Sequence, residues 1–124
     1  MTSSFFPARP FLFSSLIVGF FALPGTSEAA SFDCSKASAP DEIAICDNPD
    51  ISAMDSEMAG LWYGYKALPL LMGASGNRQD EATAFLKTRS ACGANVSCLR
   101  SAYTQRIAKL KSDITSGVQN YCTH

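Results

Sequence analysis

The sequence predicts an all-α fold, a small disulfide-stapled bundle of three main helices preceded by a short N-terminal one. Three observations predict it. Apolar residues recur at steps of three and four, and strand-like alternation persists nowhere. Pro-Asp pairs stand behind Ser or Asn at Pro40 and Pro49, where helices open. Five cysteines fall in a stretch too short to rest on its core alone.

Residues 1–29 read as a cleaved signal peptide. Arg9 supplies the positive charge, Phe11 to Leu23 the apolar run, and Pro24-Gly25 the break before Ser27-Glu28-Ala29, a small-x-small cleavage site. The run is shorter than the roughly 20 residues of a membrane span, and no second candidate follows. Cys34 lies beyond the expected cut after Ala29, so a lipid anchor is not expected. The expectation is therefore an exported protein, periplasmic or extracellular, with a domain over residues 30–117 and a flexible tail over 118–124.

The short first helix opens at Pro40-Asp41-Glu42, whose acids suit a helix N-terminus, and ends near Cys46. Asn48 is expected to cap the second helix, which runs to about Leu68 with an apolar face of Ile51, Met54, Met58, Leu61, Trp62 and Tyr65. Pro69 and the cluster Gly73-Ala74-Ser75-Gly76-Asn77 predict a loop. A third helix from about Gln79 to Ala91 aligns Ala82, Phe85, Leu86, Arg89 and Cys92 along one side. After Gly93-Ala94-Asn95, a last helix from about Ser97 carries Leu99, Tyr103, Ile107, Leu110 and Ile114, with Gly117 as its stop.

Cys34 and Cys46 are twelve apart and Cys92 and Cys98 six apart, spacings that fit neither a zinc site nor a Cys-x-x-Cys redox centre. In an oxidising compartment they predict two disulfides, with Cys122 unpaired or intermolecular. Local bridges, each closed across a helix end, are favoured over bridges linking the first pair to the second.

No catalytic, cofactor or metal site is expected. The only histidine, His124, is the last residue of the chain, where a base is poorly oriented. Asp55 and Arg89 each lie beside an apolar stripe on neighbouring helices, which predicts a structural ion pair between them. Charge is segregated although the net is −1: acids crowd residues 30–60 and bases follow. This predicts two halves with complementary fields, the alternative being an acidic face of Asp41, Glu42, Asp47, Asp50 and Glu57 turned to a basic partner. Arg100, Arg106, Lys109 and Lys111 read as a solvated helix face, and nucleic acid is not an expected partner.

The runs DCSKASAPDEIAICDNPDISAMDSEM and FLKTRSACGANVSCLRSAYTQRIAKL together resemble the LprI-like N-terminal domain family, small exported bacterial domains named after a lipoprotein inhibitor of lysozyme. The matching features are Asp33-Cys34, the acidic-apolar run into Ile45-Cys46, Asn48-Pro49 ahead of Met54-Asp55, Arg89 three before Cys92, Cys98-Leu99-Arg100, and Tyr103 with Arg106-Ile107. Ala82 and Phe85 stand where the family has Gln and Trp, and Cys122 lies outside the shared pattern. The resemblance implies binding and inhibition of a lysozyme by protein-protein contact, without catalytic residues or cofactor. The competing expectation is a cell-envelope interaction module with another protein partner, including a dimer linked through Cys122.

Overall fold

The computed structural model describes residues 30–69 and 72–123; the expected signal peptide and His124 lie outside them. The described residues are all-helical, with no strand among them. A 3-10 turn over Cys34–Lys36 precedes four α-helices, α1 Pro40–Asp47, α2 Pro49–Ala67, α3 Met72–Cys92 and α4 Val96–Cys122. The turn is one element more than expected.

Local chemistry sets the boundaries. At the start of α1, Ala39 has no side-chain acceptor, and Glu42 instead reaches back to accept from the amides of Ser38 at 3.1 Å and Ala39 at 3.3 Å. Asn48 does not cap α2 with its side chain. Its amide donates to the Ala44 carbonyl at 2.7 Å, while the Ser52 hydroxyl donates to the Ile45 carbonyl at 2.6 Å. Both bonds satisfy carbonyls left over at the end of α1, where the helix ladder can no longer do so. Gly93 adopts φ +54° after α3, a left-handed conformation that suits glycine, and the Asn95 side chain accepts from the Cys98 amide to cap α4.

Two helices run longer than expected. The glycine-rich stretch 73–77 is the start of α3 and not a loop. Each helical glycine costs about 1 kcal/mol relative to alanine. The beginning of α3 is held nevertheless, because Arg78 donates to the Tyr65 carbonyl at 2.6 Å and so occupies the open end of α2. At the other extreme α4 does not stop at Gly117 but continues to Cys122, so the expected tail is helical through that residue. Nothing in residues 118–122 breaks a helix, and Gly117 itself is buried.

The core joins Ile45 of α1, Ile51 of α2, Phe85 of α3 and Leu99, Tyr103 and Ile107 of α4, with Phe32 from the leading segment packed against it. Phe85 meets Tyr103 edge-on at 5.3 Å between ring centres. Leu86 departs from its expected place on the inner face and is 51% exposed. One position from Phe85 means a rotation of about 100°, which carries it off the buried stripe. α2 and α4 form the most extensive helix pair. They run parallel, since Asp50, Asp55 and Glu57 meet Arg100, Tyr103 and Lys111 in ascending order.

The disulfides are local: Cys34–Cys46 ties the 3-10 turn to the end of α1, and Cys92–Cys98 closes the turn between α3 and α4. The Cys122 thiol is free and exposed.

Candidate interaction surface

Asp55 and Arg89 do not pair with each other. Asp55 is fully buried; it accepts from the Tyr103 hydroxyl at 2.7 Å, from the Ser31 amide at 2.7 Å and from the Ser31 hydroxyl at 2.5 Å. Arg89 is held by Asp41 at 2.8 Å, with Glu42 at 3.9 Å. The face of its guanidinium lies over the Phe32 ring, 5.8 Å from the centre. The two clusters meet at Tyr103, whose hydroxyl lies close enough to Arg89 for the two to interact electrostatically. Burial, then the bond to Asp55, pushes the Tyr103 phenol well above its ordinary value of 10.0, so it stays a donor. The expected pair is therefore split because each charge finds a partner outside the pair of helices α2 and α3. Asp55 takes the leading segment, and Arg89 takes the first turn of α1.

Those contacts decide what the acidic residues can do. Asp41 is 2% exposed and committed to Arg89, so it cannot meet a partner. Glu42 closes the start of α1, and the amides it accepts from, together with Arg89, hold its carboxyl below the usual range. Asp50 pairs with Arg100, and Glu57 with Lys111 at 2.6 Å. Asp47 is exposed. Four of the five candidate contact acids thus face bases of the second half, and the charge segregation is largely spent within the fold.

Arg106 also corrects the solvated-face expectation, being only 7% exposed. It pairs with Glu81 at 3.4 Å and lies over the Trp62 ring at 5.7 Å, and its Nε is buried without an acceptor. A cation on the α-helical seam was not expected. The signal for it was Arg106 immediately preceding the buried Ile107 and three after Tyr103, a position on the apolar stripe's flank.

Around the last turns of α2, aromatic rings and cations alternate. Lys66 lies 5.4 Å from the Trp62 ring centre and 5.9 Å from that of Tyr63, and Arg78 lies 5.2 Å from that of Tyr65. Tyr65 is buried and Trp62 half-buried, but Tyr63 is 76% exposed on the flank of a well-packed helix. An aromatic ring held on a rigid element with a cation beside it is the surface chemistry that protein interfaces favour. A second feature is a surface groove of about 500 Å³ between α3 and α4, lined by Thr88, Asn95, Ser101 and Gln105 beside the Cys92–Cys98 bridge. Its lining carries no charged side chain.

Among the described residues no group of three or more His, Cys, Asp or Glu side chains is placed to hold a metal ion. No helix among them is long and apolar enough to cross a membrane. No family model, curated protein or solved structure matches the chain.

Proposed function

We propose that the chain is an exported, non-catalytic protein that acts by protein-protein contact in the manner of a lysozyme inhibitor. The observation that supports contact is Tyr63, 76% exposed beside half-buried Trp62, with Lys66 reaching over both rings. Lysozyme as the partner rests on the resemblance of the cysteine framework and its flanking residues to the LprI-like family. Export accords with two disulfides in a chain whose described residues hold no membrane-spanning helix. The contact surface then centres on the last turns of α2, away from Asp47 and Asp50 around the start of that helix and from Glu57, which Lys111 engages.

The test is inhibition of several lysozyme types, at low salt, by the oxidised product of the full-length precursor. The expected result is dose-dependent inhibition, weakened at least tenfold by Tyr63→Ala, the size of effect an interface aromatic gives. Unchanged lysozyme activity at large molar excess would remove the lysozyme reading. Inhibition that Tyr63→Ala leaves intact would move the surface elsewhere.

The exposed thiol of Cys122 favours a second reading, an envelope interaction module that dimerises through this residue. Non-reducing electrophoresis then gives a band at twice the monomer mass that Cys122→Ser abolishes. A monomer with and without reductant disposes of it.

A further inference from the structure

We propose that Asp55 is the receptor for the α-ammonium group of Ala30, set free when the leader is cut after Ala29. In that hydrolysis a signal peptidase adds water across the Ala29–Ala30 amide, leaving a carboxylate on Ala29 and an ammonium on Ala30. The proposal rests on the export reading above and is independent of lysozyme.

Three features of the structure converge on it. Asp55 has no exposed surface, yet its hydrogen-bond donors among the described residues are Tyr103 and Ser31, both neutral. A carboxylate so buried calls for a cation. Arg89, which also interacts with Tyr103, is bonded to Asp41 instead. Next, the residue directly behind the expected cut is itself part of the core: Ala30 is only 9% exposed and belongs to the buried cluster against which Phe32 also packs. Finally, the Ser31 amide nitrogen lies 2.7 Å from Asp55 Oδ2. One residue of chain spans at most about 3.6 Å, so the Ala30 nitrogen lies within roughly 6 Å of that oxygen. Opposite charges at this range attract strongly when water is excluded.

The uncut chain offers Asp55 a neutral amide at Ala30. Cleavage replaces it with a positive charge. The groups that face this position are Tyr103 from α4, Arg89 from α3, and Asp41 and Glu42 of α1, which Arg89 engages. The domain thus reaches its full stability only after processing, and only when the cut falls at Ala29.

The full-length precursor is expressed in an exporting host, and the product is compared with that of a precursor carrying Gly-Ser inserted between Ala29 and Ala30. Mass spectrometry should place the first residue at Ala30. An α-amino group has an ordinary pKa of about 8. Paired with Asp55 it titrates higher, so its stabilisation is complete below pH 8 and is lost as pH rises through the raised value. At pH 6–7 the extended product should melt lower by about 5 °C or more. The gap should close by about pH 10 and should be absent when both chains carry Asp55→Asn. A second measurement does not depend on that variant folding: NMR titration of the Ala30 α-amino group should give a value raised by about one unit or more. A product that begins elsewhere, equal melting of the two products at pH 6–7, or an unshifted amino group each overturns the proposal. A precursor that stays uncut overturns the export reading with it.

Discussion

Tyr103 and Asp55 sit fully buried against each other, so a single oxygen atom measures how much the inner polar cluster contributes. Tyr103→Phe keeps the ring against Phe85 and removes one of the donors to a carboxylate that cannot reach water. The expected cost is about 1–3 kcal/mol, read from the urea midpoint. The same phenol makes the protein labile to base. Its folded-state value lies above the ordinary 10.0 because of burial and Asp55. The unfolded chain therefore loses this proton first as pH rises. Stability is complete below about pH 10 and falls above it, a slope that Tyr103→Phe should flatten in alkaline denaturation. Arg89→Met leaves Asp41 buried without its cation, a change expected to cost about 3–5 kcal/mol. In a double-mutant cycle, Asp41→Asn should recover much of that loss, and strict additivity would show that the pair is not coupled. Neither partnership was legible beforehand. Asp41 reads as a helix-start acid or a partner-contact residue, Tyr103 as a core ring on an apolar stripe, and Ser31 lies in a segment with no period to read.

At the scale of the element, α1 is short and depends on contacts made around it. Glu42 takes up two amides ahead of the helix, and those bonds, with Arg89, hold its carboxyl below 4.5. A folded value below the ordinary one means stabilisation present above about pH 4.5 and lost as pH falls through the depressed value. Glu42→Gln should therefore flatten the acid limb of the stability profile. An unaltered limb would assign acid lability to other carboxylates. The Cys34–Cys46 bridge binds the other end of α1, and replacing both cysteines with serine should cost about 3 kcal/mol by the chain-entropy argument for a loop of this length. Helix existence and faces were readable from the stripes on α2 and α4. The ends were not, because glycine and proline mark where a chain can turn, and tertiary bonds decide whether it does. Gly73 and Gly76 stay helical since Arg78 anchors the end of α2, whereas Gly93 ends α3 with a positive φ and a disulfide beyond it.

Over the whole molecule, the segregation of acids and bases turns out to be a map of which parts meet. Asp41 and Glu42 meet Arg89, Asp50 meets Arg100, and Glu57 meets Lys111. The reading of complementary halves could be made from charge order alone; the individual partners could not, since they depend on the parallel setting of α2 and α4. The exposed ring of Tyr63 was equally hidden, because Tyr63 sits one position past Trp62 and its neighbours are all members or flanks of the apolar stripe. That parallel setting also governs when the protein can fold. Its main interface joins helices that begin at Pro49 and Val96, so the chain must close a long loop before its largest apolar contact forms. A polypeptide threaded through a translocation channel from its N-terminus holds α2 without the surface it needs until α4 emerges. The topology itself keeps the exported chain we propose slack during passage, and lets it set only on arrival.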